Sequence, residues 1–261
     1  MIKKAFLFFA LGLLGSNMSY SQNNPIIAHR GAWKNNNVPQ NSRASLKKAI
    51  ELKCYGSEFD VHITKDDVLV INHDNDFLGK DIATATFKEL RKLKMANGER
   101  IPTVEEFIKI AKSKKNAHHT KLIYEIKSSG LGKERTKDNV RKSLELVKKH
   151  HVEDLVEFIL FDYDAAKEII ALKPDAKVQS LSAVDPEKAK KDKLTGLDFH
   201  MSVYDKNQNY ISLAKSLGLT TNVWTVNKEE DIKRFLQKEV NYITTDEPER
   251  ALKLYAETNK K

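Results

Sequence analysis

After the first 21 residues, short apolar runs alternate with amphipathic stretches along almost the whole chain. Runs of β-branched and aromatic residues, such as Val156-Glu157-Phe158-Ile159-Leu160 and Asn241-Tyr242-Ile243-Thr244, read as strands. The strands predicted in this way span 25–29, 56–63, 121–127, 156–162, 176–181, 196–200, 219–226 and 241–245. Between them the apolar positions recur at helical spacing. Ser45-Leu46, Ala49-Ile50 and Leu52 share one face, and Val140, Leu144, Leu146 and Val147 form a similar stripe. Helices are expected over 42–53, 103–114, 134–150, 163–172, 186–191, 207–217, 228–238 and 247–256.

A strand that alternates with a helix implies parallel pairing through crossover helices. Eight such repeats in about 240 residues match an α/β fold of the (β/α)8 TIM-barrel type. An open doubly wound sheet would place a glycine-rich turn after the first strand, and only Gly31 stands there. One region breaks the rhythm. Residues 64–102 form an insertion between the second strand and its helix. It opens on Asp66-Asp67, runs through Val68-Leu69-Val70-Ile71 as a β extension, and holds a short helix near Thr86 to Lys94. Asn97-Gly98 then turns the chain toward Ile101-Pro102-Thr103. Thr103 with Glu106 makes a capping box for the helix that follows.

The first 21 residues are set apart by composition. Lys3 and Lys4 precede an apolar run from Ala5 to Gly15, and Ser19-Tyr20-Ser21 places small residues at the −3 and −1 positions before Gln22. This is the layout of a secretory signal peptide, so the mature chain is expected to be exported, periplasmic or secreted. The run is shorter than the roughly 20 residues of a spanning helix, which argues against stable membrane insertion after cleavage. The only cysteine is Cys54, so no intramolecular disulfide forms, and its place at a helix end reads as a buried small hydrophobe. Net charge is +9, and removing the two leader lysines leaves +7. The lysines are interleaved with acids over many helical faces, with no basic-aromatic module, so nucleic acid is not an expected partner.

Residues at the C-terminal ends of barrel strands converge on one mouth. His29 and Arg30 end the first strand, Glu58 and Asp60 lie late in the second, and Glu125 and Lys127 in the third. His73 follows the β extension, and Trp224 lies late in the seventh strand. Side chains at i and i+2 share a strand face, so Glu58 and Asp60 point the same way, about 6–7 Å apart. Glu58, Asp60 and Glu125 form an all-oxygen set that suits a hard divalent cation, Mg2+ or Ca2+. Arg30 and Lys127 beside them suit a phosphate group. His29 and His73 suit proton transfer near neutrality. Trp224 walls a small substrate or is ordinary core. His62 reads as structural or rim, His200 as the one other histidine able to reach the mouth, and Asp246 as a helix N-cap before Pro248.

These pieces together resemble the glycerophosphodiester phosphodiesterase family. The resemblance runs from about Pro25 to Glu249. It rests on Ala28-His29-Arg30-Gly31, Gly56-Ser57-Glu58-Phe59-Asp60-Val61, His73-Asp74, Tyr124-Glu125-Ile126-Lys127, Val223-Trp224-Thr225 and Thr245-Asp246-Glu247-Pro248. It implies a barrel with an inserted segment after strand two, and hydrolysis of small-molecule glycerophosphodiesters to sn-glycerol 3-phosphate and an alcohol. It implies His29 and His73 as the acid–base pair, Glu58, Asp60 and Glu125 as metal ligands, and Arg30 and Lys127 on the phosphate. The chain departs from the family pattern at Gln40, where glutamate is usual, and at Leu160, where serine is common. Two other readings stay open: a non-catalytic barrel that binds phospholipid headgroups, and a phosphodiesterase that yields a cyclic phosphate.

Overall fold

The computed structural model describes residues 24–258. The segment read as a signal peptide lies outside the described residues. Eight parallel strands close into a barrel: β1 (Ile26–Ala28), β2 (Gly56–Ile63), β6 (Lys121–Ile126), β7 (Val156–Leu160), β8 (Val178–Ser180), β9 (Gly196–His200), β10 (Thr220–Trp224) and β11 (Tyr242–Thr245). Closure is made by β1 pairing with both β2 and β11. Within the insertion, β3 (Leu69–Ile71) pairs antiparallel with the end of β2, and β4 (Asp76–Phe77) with β5 (Lys80–Asp81) forms a small hairpin. The expected TIM barrel and its inserted segment are both present.

Alternation along the strands builds two cores. Phe59, Val61, Tyr124, Phe158, Leu197, Phe199 and Val223 face outward and pack with helix residues such as Leu46, Phe107, Ile169 and Ile232. Ile27, Ile123, Ile159 and Leu181 face inward and plug the barrel beneath its mouth. The insertion has its own small core of Val70, Phe77, Ile82, Ala85, Leu90 and Ile101. Gly56 is required by the inner plug, because a Cβ there would lie 2.7 Å from Ile123 Cγ1. Cys54 is fully buried, as expected, and burial pushes its thiol well up.

Two elements differ from the sequence reading. The helix expected at 207–217 is found at Tyr210–Ser216, and a further helix, Met201–Lys206, precedes it where none was expected. This further helix buries only Tyr204, so no apolar stripe announces it. Its start is set by His200, whose side chain accepts from the Ser202 amide. The hairpin β4–β5 turns through Leu78 and Gly79, both at positive φ (53° and 82°). That is a primed hairpin geometry built on Leu-Gly instead of the usual Asn-Gly signal.

Asp198 lies on β9 between the outward-facing Leu197 and Phe199, so its carboxyl points into the barrel, where it is 1% exposed. Burial pushes this carboxyl well above the usual range, with Glu125 and Glu157 adding to the rise and an Asn222 hydrogen bond opposing it. One of its oxygens, Oδ1, has no hydrogen-bond partner among the described residues. A carboxyl whose folded pKa is raised leaves stability intact below the unfolded value of about 3.9, and stability falls as pH climbs toward the folded value. Asp198→Asn removes that dependence. The variant is expected to gain on the parent by up to about 1.4 kcal/mol per pH unit through this window in denaturant unfolding. A difference that stays constant with pH would contradict a neutral Asp198.

Candidate active site

The C-terminal mouth of the barrel gathers the sequence-predicted site residues, and its centre is a buried carboxylate cluster. Glu58 and Asp60 project inward from β2, and Glu125 stands opposite Asp60 in the β2–β6 register. The three residues are buried at 3%, 1% and 8% exposure, and one oxygen from each lies within 4.8 Å of the others. Two cations compensate them in part. Lys127, just beyond β6, donates to Asp60 Oδ1 at 3.1 Å and contacts Glu125 Oε1 at 2.7 Å. Arg30 Nε lies 3.7 Å from Asp60 Oδ2.

The electrostatics sort the three acids. Burial pushes Glu58 well up, with repulsion from Asp60 and Glu125 adding to it. Glu125 is pushed up to about 7 by burial and by Asp60. Burial also works against Asp60, but Lys127, the Asn41 amide, His73 and Arg30 outweigh it and hold the carboxyl low. Three acids against two cations leave the cluster short of positive charge. Glu58 Oε1 is buried without a hydrogen-bond partner. An orphaned carboxylate oxygen that faces two other carboxylates fits a hard divalent cation, and Glu58, Asp60 and Glu125 are the residues that would hold it.

Around the cluster the backbone is fitted to its task. Arg30 adopts a left-handed conformation (φ 55°), which turns its amide onto Glu58 Oε2 at 2.7 Å. Gly31 continues the turn at φ 81°, where a Cβ would lie 2.4 Å from Ser45 Oγ. The Arg30 guanidinium donates to Gln40 Oε1 at 2.9 Å. Gln40 therefore keeps the acceptor that the usual glutamate would offer, without its charge.

Both candidate proton carriers are anchored through Nδ1. His29 Nδ1 meets Asp246 Oδ1 at 2.7 Å, and His29 Nε2 lies 3.9 Å from Glu58 Oε2. His73 Nδ1 meets Asp74 Oδ1 at 2.7 Å. In each ring the second nitrogen is left for a reacting group. His62, held neutral by burial, contacts the His73 carbonyl through Nε2 at 3.3 Å, so it fixes the insertion over the mouth.

Three placements go beyond the sequence reading. Asp246 is not a helix cap. The last helix, Pro248–Thr258, starts two residues later, and the Glu247 carbonyl accepts from the Ala251 amide in the capping place. The Asp246 carboxylate instead orients His29, and Asn227 donates to its other oxygen at 2.8 Å. Asn41 binds Asp60 twice: its side-chain amide donates to Asp60 Oδ2 at 2.7 Å, and the Asp60 backbone amide donates to Asn41 Oδ1 at 3.2 Å. The sequence signal for Asn41 and Asn227 is faint, since a lone asparagine in a loop reads as a turn residue. His200 does reach the mouth, where its ring lies 5.2 Å from that of Trp224. Trp224 is half-buried, and its indole nitrogen donates to the Asp198 carbonyl at 2.9 Å.

Residues 29–250 match the glycerophosphoryl diester phosphodiesterase family. The chain belongs to that family. As a member it is an enzyme, a phosphoric diester hydrolase. A glycerophosphodiester phosphodiesterase of Caldanaerobacter subterraneus is 29% identical over 255 residues, covering 88% of this chain and 96% of the relative. The crystal structure of a glycerophosphodiester phosphodiesterase from Parabacteroides distasonis superposes with a TM-score of 0.86 at 41% identity, over 91% of this chain and 99% of the other. A phosphodiesterase of Oleispira antarctica, solved with the product sn-glycerol-3-phosphate, gives a TM-score of 0.77 at 25% identity, over 88% and 96% of the two chains. Among the described residues, no helix is long and apolar enough to cross a membrane.

Proposed function

We propose that this phosphodiesterase hydrolyses glycerophosphodiesters to sn-glycerol 3-phosphate and an alcohol, with His29 and His73 as its acid–base pair. The observation that carries the reading is the matched anchoring of the two imidazoles. Each is held at Nδ1 by a carboxylate, at 2.7 Å in both cases, beside one cluster of buried acids. His29 approaches Glu58, and His73 is close enough to Asp60 to help hold its carboxyl low. One imidazole takes the proton from the attacking water, and the other returns a proton to the departing alkoxide as the P–O bond breaks.

Arg30 and Lys127 hold the non-bridging phosphate oxygens. The guanidinium offers a planar fork and the ammonium a point charge. Both are partly engaged by Asp60, which fixes them at the cluster. Glu58, Asp60 and Glu125 would hold a divalent cation, Mg2+ or Ca2+, and when bound it would supply Lewis-acid polarisation of the phosphate. Asp246 and Asp74 accept from the Nδ1–H of the two rings, which leaves Nε2 to take the proton in the ring that acts as base and to give one up in the ring that acts as acid, protonated at both nitrogens. The reaction occurs outside the cytoplasm in this reading, since residues 1–21 have the layout of an export signal.

The test is release of glycerol 3-phosphate from a panel of glycerophosphodiesters, with and without added divalent cation. Metal-dependent release from at least one substrate is the expected result. Tight binding of the same compounds without turnover under any divalent cation would identify a headgroup-binding barrel instead.

A further inference from the structure

Opposite the acidic cluster, the mouth is walled by aromatic rings that the hydrolytic chemistry does not use. Phe161 follows β7, and its side chain is 47% exposed. It reaches past β8 and β9 to Trp224 at the end of β10, at a ring separation of 5.7 Å and an interplanar angle of 85°. His200 meets the same indole from β9 at 5.2 Å and 69°. Two rings thus meet Trp224 edge-on, and the three together form a corner. The corner is braced from below. The Trp224 indole donates to the Asp198 carbonyl, the Ser182 hydroxyl donates to the Phe161 carbonyl at 2.7 Å, and His200 Nδ1 is engaged with Ser202.

We propose that Phe161, Trp224 and His200 form the subsite for the alcohol arm of the substrate, and that they select a quaternary ammonium headgroup of the choline type. This rests on the phosphodiesterase reading above. The glycerol arm carries two hydroxyls and needs hydrogen-bonding partners, which lie on the side of His29, Arg30, Asp60 and Lys127. The corner offers ring faces and a single ring nitrogen, His200 Nε2. An inositol or glycerol headgroup would find no protein partners for most of its hydroxyls there and gain little over solvent. A primary ammonium carries three N–H donors, and the groups that hydrogen-bond the three residues are hydroxyls, a backbone amide and a backbone carbonyl, not carboxylates. A quaternary ammonium donates no hydrogen bond, spreads its charge over methyl groups, and is attracted to ring faces, most strongly to indole. Among the described residues the side-chain cations found over rings sit on Phe87, Tyr163 and Phe235, so no protein cation competes for Phe161 or Trp224.

The test compares three glycerophosphate esters on the metal-loaded enzyme: choline, ethanolamine, and neohexanol, the uncharged carbon isostere of choline. The choline ester is expected to lead both others by about tenfold in kcat/KM, in line with a partly desolvated cation–π contact. Phe161→Leu keeps apolar bulk but removes a ring face, and should cut that lead to about twofold. Equal rates on the choline and neohexyl esters, or an undiminished lead in Phe161→Leu, would overturn the proposal. A binding measurement separates this idea from the hydrolytic one. In a Trp33→Phe background, choline should shift the remaining indole N–H resonance, of Trp224, more than neohexanol does. Absence of that shift overturns the subsite. The shift without turnover of any ester would overturn the hydrolytic reading and leave the subsite standing.

Discussion

His73→Ala is expected to lower kcat for glycerophosphodiester hydrolysis by about two to four orders of magnitude, the usual worth of a positioned general acid or base. The fold should be indifferent to the change. His73 sits on an exposed segment of the insertion, with 36% of its side chain accessible, and its one side-chain partner is the neighbouring Asp74. Substitutions at such positions cost within about 0.5 kcal/mol, so circular dichroism and Tm should match the parent. His29→Ala should lose turnover to a similar degree, with a larger structural cost, because its ring is more enclosed and the Asp246 carboxylate loses its imidazole partner. Near-parental kcat with intact folding in either variant would remove that histidine from proton transfer.

Glu58→Gln is expected to weaken divalent-cation binding by at least about 100-fold, since even outer-sphere partners of metal ligands are worth 10- to 100-fold. Activity at sub-saturating metal should fall in step. The metal-free variant should be more stable than the metal-free parent, which is the opposite of the usual cost of removing a buried side chain. In the parent, Glu58 is buried beside two like charges that push its carboxyl up, and a neutral amide in its place brings no such conflict. Metal reverses the order. At a concentration 100 times Kd it adds about 2.7 kcal/mol to the parent. For a chain of this size that corresponds to a rise in Tm of about 5–10 °C. Glu125, pushed up to about 7, must lose its proton to serve as a ligand. At a fixed metal concentration the metal-induced rise should therefore be about half as large at pH 6 as at pH 8. Calorimetric melts of both proteins at the two pH values check every part of this. A rise that is the same in parent and variant would place the cation elsewhere.

The barrel is legible in the sequence because its signals are local and repeated. Strand β2 can be read at its observed bounds, since Gly56–Ile63 is an unbroken run closed by Tyr55 and a turn at Asp66-Asp67. The carboxylate cluster is legible from the period-two spacing of Glu58 and Asp60, together with the register logic of neighbouring parallel strands. Groups that act through long-range partners are harder to read. Asp246 lies 217 residues from His29, and Thr-Asp-Glu-Pro has the look of an ordinary helix start. Asn41 reaches Asp60 from a loop position with φ 54°, a conformation that a single asparagine does not announce. Phe161 reads from the sequence as the tail of a strand, and its meeting with Trp224 joins two strands that are not neighbours, with β8 and β9 between them in the barrel. The helix at Met201–Lys206 escapes because its single buried residue, Tyr204, is held by hydrogen bonds from its hydroxyl to the Leu197 and Asn222 carbonyls, and one residue makes no apolar stripe.

Phosphorus NMR of glycerophosphocholine turnover in water enriched with heavy oxygen tests the central claim most directly. The protein is first stripped with chelator and then reloaded with Mg2+ or Ca2+. No reaction is expected in chelator. After reloading, the expected product is glycerol 3-phosphate carrying one heavy oxygen, at a rate that collapses in both His29→Ala and His73→Ala. Undiminished turnover in chelator, or a cyclic phosphate as the end product, would contradict that claim.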